Sequence, residues 1–145
     1  MKILNVMALS SICLVMPVGS HLLADVPECT CEKSTDGSDT VIDITSTNGT
    51  SMTMRFAANP VTRQTKLAFL CAGDENTAEN KVTEAKLWMP AHGHGSSPTT
   101  LVAVSKTCTR VEKVSFIMLG DWEIRTTFAN GDKGVFPVEV VVPNE

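Results

Sequence analysis

Apolar and polar residues alternate with a period of two along most of the chain after Thr40. This alternation is typical of strands that present one face to a core and the other to solvent. Turn signals separate the alternating stretches, and the strongest are Asn48-Gly49 and the Asn-Gly-Asp sequence at 130–132. No segment has a convincing 3.6-residue period. The pattern therefore predicts one all-β domain of about seven or eight short strands, arranged as an antiparallel β-sandwich.

The alternating apolar positions predict which face of each strand packs in the core. They are Ile42, Ile44, Met52, Met54, Phe56, Leu67, Phe69, Cys71, Ala85, Leu87, Met89, Val114, Phe116, Met118, Trp122, Ile124, Phe128, Val138, Val140 and Val142. Residues 101–104 are a continuous apolar run that is predicted as a further strand. Trp88 is predicted to lie on the opposite face of its strand from Leu87 and Met89. A polar loop is predicted from Gly73 to Asn80.

Lys2 is followed by an apolar run over residues 3–18, which is typical of an export signal. The run is shorter than the ~20 residues that a spanning helix needs, so cleavage is favoured over a retained membrane anchor. The sequence thus predicts a signal peptide over 1–24, a cysteine-containing tail over 25–39 and the sandwich domain over 40–145. The mature protein is expected to be periplasmic or secreted.

Composition narrows the classes of function. The 145 residues are 43% hydrophobic and 19% charged, which is sufficient for a folded core. The net charge is −4 and no basic block occurs, which argues against nucleic acid as a partner. Nucleotide-binding glycine motifs and a Gly-x-Ser-x-Gly elbow are absent from the sequence. Only His92 and His94 remain after the predicted signal peptide, too few for a three-histidine zinc centre. We therefore expect a protein that is not an enzyme.

Four cysteines follow the predicted signal peptide, and an even number in an exported chain predicts two disulfides. They are Cys29, Cys31, Cys71 and Cys108. The first two are too close in sequence to pair comfortably with each other. Each is expected to bond with one of the other two, which pins the tail to the domain and leaves two pairings open. The alternative interpretation is that Cys29-Thr30-Cys31 is a soft-metal or redox clip, which requires free thiolates.

Residues 88–95, with the sequence WMPAHGHG, contain the candidate chemistry. Imidazole and thioether donors together suit copper, as Cu(I) or Cu(II), better than the oxygen-preferring cations. The i, i+2 spacing of His92 and His94 places both rings on one side of an extended segment. Gly93 allows the backbone to bend, and a strand that ends at Met89 places a thioether beside the loop.

Residues 114–122, with the sequence VSFIMLGDW, are expected to form the other half of the site. Met118 is predicted to end a strand just before Gly120 and to supply a second thioether at the same end of the sandwich. Trp122 is a candidate cover for the metal, since an indole face attracts a cation. The alternatives stay open: Met89 and Met118 as core methionines, Trp122 as a core anchor, and the histidine loop as a plain surface turn.

The two segments 89–95 and 114–124 together resemble the signature of YtkA-like domains, a group that includes FixH-like proteins. The resemblance covers about residues 40–142. It implies an immunoglobulin-like sandwich outside the cytoplasm and, for some members, a role in copper delivery to respiratory oxidases. The chain departs from the usual family loop at His92 and Ser96, where family members often carry methionine.

The leading hypothesis is an exported, non-enzymatic copper-binding protein that acts as a carrier or resistance factor. Its partner would be a copper donor or acceptor protein of the cell envelope. This chain would contact the membrane only through an uncleaved signal segment. The candidate ligands are His92, His94, Met89 and Met118, with Trp122 behind them. A hydrolase with a two-histidine, one-carboxylate site would need Asp121 as the carboxylate, and nothing in the spacing singles this residue out. The alternative is a structural or adaptor sandwich that binds a protein partner without metal.

Overall fold

The computed structural model describes residues 29–72 and 81–143, which form two antiparallel sheets packed against each other. The signal peptide predicted over 1–24 and the loop predicted from Gly73 to Asn80 lie outside the described residues. In the part of the chain that is described, no helix has the length and apolar character needed to cross a membrane. The predicted all-β sandwich is confirmed.

Nine strands are found within the described residues. They are β1 (Thr40–Thr45), β2 (Ser51–Phe56), β3 (Thr65–Ala72), β4 (Val82–Met89), β5 (His94–Gly95), β6 (Thr100–Ala103), β7 (Cys108–Ser115), β8 (Gly120–Phe128) and β9 (Lys133–Val140). One sheet has the strand order β1-β2-β3-β7-β6, and the other has the order β5-β4-β8-β9. The sequence predicts about eight strands, and the short strand β5 falls in a segment that the sequence predicts as loop.

The inner faces of the two sheets form the core, largely at the positions that the alternation predicts. Buried core side chains include Met52, Met54, Phe56, Leu87, Val111, Val114, Phe116, Trp122, Ile124, Phe136 and Val138. Trp88 lies on the outer face of β4, as predicted, with the guanidinium of Arg125 5.0 Å from its ring centroid. Burial of this apolar surface is the main driving force for the sandwich.

Strand β3 differs from the prediction, which placed Leu67, Phe69 and Cys71 on its core face. The residues that face the core are instead Ala68, Leu70 and Ala72. Phe69 is nevertheless fully buried, and the guanidinium of Arg55 lies 4.9 Å from its ring centroid on the outer face of the sheet. Both faces of β3 are therefore covered, so its alternation carries no information about which face is inside.

Two disulfides attach the N-terminal tail to this outer face. Cys29 pairs with Cys108, and Cys31 pairs with Cys71. The prediction that each tail cysteine bonds to a different strand cysteine is confirmed, and the structure selects one of the two pairings. The alternative interpretation of Cys29-Thr30-Cys31 as a metal or redox clip requires free thiolates. In this oxidised state the sulfurs of all four cysteines are in disulfide bonds, so the clip does not form.

Arg55 provides a second attachment for the tail. Its Nε donates a 2.7 Å hydrogen bond to the carbonyl oxygen of Thr30, and its guanidinium forms a 3.0 Å ion pair with the carboxylate of Asp39. Both charged side chains of the pair are buried. The hydrogen bond from Arg55 lowers the pKa of Asp39, and the amide of Ser34 adds a further hydrogen bond to the same carboxylate. The tail is thus held by side-chain contacts as well as by covalent bonds.

Candidate metal centre

The candidate histidines lie on a tight turn that follows β4. The carbonyl oxygen of Met89 accepts hydrogen bonds from the amides of His92 (3.2 Å) and Gly93 (2.9 Å). Gly93 has a φ of +65°, a left-handed conformation that glycine adopts without strain. The chain therefore reverses within four residues and returns as β5, where His94 pairs with Met89. We call the region of the sandwich formed by residues 89–95 and 116–120 the histidine end.

Two contacts fix the strand that carries His94. A Cβ atom added to Gly95 would lie 2.8 Å from the carbonyl oxygen of Leu87, so only glycine allows β5 to approach β4 this closely. The hydroxyl of Ser96 donates a hydrogen bond to the carbonyl oxygen of Ser115 in the other sheet. Sequence reasoning assigned no positioning role to Ser96, because a serine after a glycine is common in loops.

The two imidazole rings are close enough to share one ion. Their centroids are 5.8 Å apart and the ring planes are tilted by 45°. A ring centroid lies about 3.2 Å from a metal bound by one ring nitrogen, so rings that share an ion have centroids at most about 6.4 Å apart. His92 is exposed and His94 is half-buried. Nδ1 of His94 lies 3.1 Å from the carbonyl oxygen of Gly95, and donation to that oxygen leaves a lone pair on Nε2.

Trp122 forms the wall behind His94. The two rings meet edge to face, with centroids 6.1 Å apart, and Trp122 makes a second edge contact with Phe116 at 5.4 Å. The indole nitrogen donates a 3.0 Å hydrogen bond to the carbonyl oxygen of Met118. Trp122 is 1% exposed and belongs to the core. Trp122 is therefore a core residue, as the alternative interpretation proposed. Its contact with the His94 ring also places it beside the candidate site.

The two candidate thioethers lie at the histidine end in different surroundings. Met89 is the last residue of β4 and is buried in the core, where its methyl group lies 3.3 Å from the position that a Cβ on Gly120 would take. The prediction that Met118 ends a strand is wrong, since β7 ends at Ser115 and Met118 belongs to the connection to β8. Met118 is 37% exposed, so it is not a core methionine either.

Among the described residues, no further His, Cys, Asp or Glu side chain joins both histidines in one group of ligand atoms. Within residues 29–72 and 81–143, the only group of three or more His, Cys, Asp or Glu ligand atoms lying within 4.8 Å of one another is Cys31, Cys71 and Cys108. Asp121 therefore does not complete a two-histidine, one-carboxylate site. Cys108 is bonded to Cys29 at the opposite end of β7, so a blue-copper set of two histidines and a thiolate does not form either.

Comparison with protein-family models, with curated proteins and with solved structures finds no match to this chain. The resemblance to YtkA-like domains accordingly stays a prediction that depends on residues 89–95 and 114–124.

Proposed function

We propose that this chain is an exported, non-enzymatic copper-binding protein that carries copper or protects against it in the cell envelope. The observation that supports the proposal is the placement of His92 and His94 on one braced turn, with ring centroids 5.8 Å apart. Imidazole nitrogen is a good ligand for copper, and a thioether ligand from Met89 or Met118 would favour Cu(I). The two disulfides support export, because such bonds persist in oxidising compartments.

The openness of the site favours transfer of the ion over permanent storage. His92 is exposed, and two imidazoles alone leave coordination positions for a thioether, water or a ligand from another protein. A partner can therefore bind the ion before it leaves this chain. We propose that this partner is a copper donor or acceptor protein of the envelope.

Copper titration of the purified protein tests the proposal. We expect one Cu(I) or Cu(II) ion to bind per chain with sub-micromolar affinity, and we expect the His92→Ala/His94→Ala variant to lose this binding. Ser97→Ala, an exposed substitution in the same loop, is the control and should bind as the wild type does. Absence of binding in both oxidation states, or undiminished binding by the double variant, would contradict the proposal.

A second candidate function, an adaptor that binds a protein without metal, has one observation in its favour. Ile117, Leu119 and Val142 are each about half exposed and line a shallow groove together with Met118. Exposed apolar groups that cluster in this way mark binding surfaces. Copper discriminates between the candidates, because a specific ligand of the folded state must raise the midpoint of thermal unfolding. An unchanged midpoint at saturating copper favours the adaptor.

A further inference from the structure

The four cysteines form a compact group on the outer face of the five-stranded sheet. The register of β3 and β7 places Cys71 directly opposite Cys108, and the disulfides bring Cys31 and Cys29 onto these two residues. β7 runs from this group to Ser115, which directly precedes the histidine end and accepts the hydrogen bond from Ser96. At ~3.3 Å per residue, the cysteine group and the histidines are roughly 20 Å apart. The two sites are therefore separate.

The sulfur positions suit a tetrahedral ion. The Sγ atoms of Cys31, Cys71 and Cys108 all lie within 4.8 Å of one another. Those of Cys71 and Cys108 are 3.6 Å apart although they are not bonded to each other. Two thiolates that bind one zinc ion at 2.3 Å in tetrahedral geometry are about 3.8 Å apart. The strand register thus sets one edge of such a tetrahedron. Cys29 lies outside this group of three, and its Sγ, which is bonded to Cys108, must turn toward the other sulfurs after reduction to supply the fourth ligand.

The tail does not depend on the disulfides alone to stay over the sheet. The hydrogen bond from Arg55 to the Thr30 carbonyl acts between the two tail cysteines, and the buried ion pair with Asp39 holds the other end of the tail. We expect these contacts to keep Cys29 and Cys31 near their partners when the disulfides are reduced.

We propose that, in the reduced protein, the four cysteines bind one thiophilic cation such as Zn²⁺ through their sulfurs. Each disulfide takes two electrons and two protons from a dithiol reductant, which itself becomes a disulfide, and the four resulting thiols lose their protons to solvent when the ion binds. The oxidised protein excludes the ion because each sulfur is already bonded to another. This site is independent of the copper proposal, since it shares no residue with the histidine end.

Cobalt titration tests the proposal, with Co²⁺ as a coloured substitute for Zn²⁺. The protein carries Cys13→Ser, so that only the four sulfurs titrate, and is reduced with a phosphine under anaerobic conditions. We expect sulfur-to-cobalt charge-transfer bands and tetrahedral d–d bands that saturate at one Co²⁺ per chain and disappear when Zn²⁺ is added. The oxidised protein should show neither set of bands. A reduced, folded chain that binds no Co²⁺ would overturn the proposal.

Two variants separate this site from the histidines. His92→Ala/His94→Ala should keep the cobalt spectrum, and Cys29→Ser should weaken cobalt binding at least tenfold and reduce the charge-transfer intensity. Loss of the spectrum in the histidine variant would show that the ion binds elsewhere. Circular dichroism follows the fold throughout. If the reduced chain unfolds, Zn²⁺ must restore the strand signal, and a chain that stays unfolded with Zn²⁺ overturns the proposal as well.

Discussion

The Gly95→Ala substitution tests whether the close approach of β5 to β4 positions His94. The new methyl group would lie 2.8 Å from the carbonyl oxygen of Leu87, whereas ordinary van der Waals contact begins near 3.4 Å. Because the obstacle is backbone, it cannot rotate away as the end of a side chain can. Strand β5 must therefore move away from β4 by roughly 0.6 Å or more, and overpacking of this kind costs about 1–3 kcal/mol.

The position of β5 at the edge of its sheet limits this cost. β5 pairs with β4 at only two positions, Trp88 with Gly95 and Met89 with His94. Detachment of the strand therefore forfeits a small number of hydrogen bonds, each worth about 1 kcal/mol net. We expect a loss of about 1–2 kcal/mol in the free energy of unfolding. We also expect at least a tenfold loss of copper affinity, because the His94 ring leaves its place beside Trp122.

Urea unfolding and copper titration measure the two effects in parallel. Ser97→Ala is the control. It also introduces alanine into this loop, but at an exposed position, where the change should alter stability by less than about 0.5 kcal/mol. A Gly95→Ala protein with wild-type stability and wild-type copper affinity would refute the reasoning, because β5 would then have no defined position that the site requires.

Two further predictions concern the N-terminal tail. Asp39→Asn should lower the free energy of unfolding near pH 7, measured by urea unfolding, by about 1.5–3 kcal/mol, the range for a hydrogen bond to a charged group. Because the pKa of Asp39 is lowered in the folded state, its contribution is present in full well above the unfolded pKa of about 4 and is lost as the pH falls through the lowered folded-state pKa. The difference between variant and wild type should therefore shrink as the pH is lowered below about 4, and a pH-independent difference would contradict this. Cys29→Ser/Cys108→Ser should lower stability by about 4 kcal/mol, because with Cys31–Cys71 intact this bond closes an effective loop of about 40 residues. Calorimetry that shows a change below about 1 kcal/mol would contradict the attachment of the tail.

The sequence predicts the fold well where each strand has one buried and one open face. On β4 and β8 the alternation identifies the core side chains correctly, because polar residues mark the solvent side. On β3 it fails, because Phe69 is buried beneath Arg55 on the outer face. That cover depends on the disulfides and on the Arg55–Asp39 pair, which are contacts between distant parts of the chain. Such contacts cannot be predicted from the local periodicity of the strand.

The candidate site is predicted in part. The strand end at Met89 and the bend at Gly93 follow from local residue types, and the structure places His92 and His94 on that turn. The location of Met118 does not follow from its alternation with Phe116, because β7 ends at Ser115 and the connection turns outward before β8. The contact between His94 and Trp122 depends on the pairing of two strands and is not visible in sequence spacing.

X-ray absorption at the copper K edge tests the central claim most directly, since it detects the ligands of both Cu(I) and Cu(II). For protein loaded with one copper per chain, we expect multiple scattering from two imidazole rings, reduced to background in the His92→Ala/His94→Ala variant. A first shell of oxygen alone, or a spectrum that the double variant leaves unchanged, would contradict the claim that these histidines bind copper.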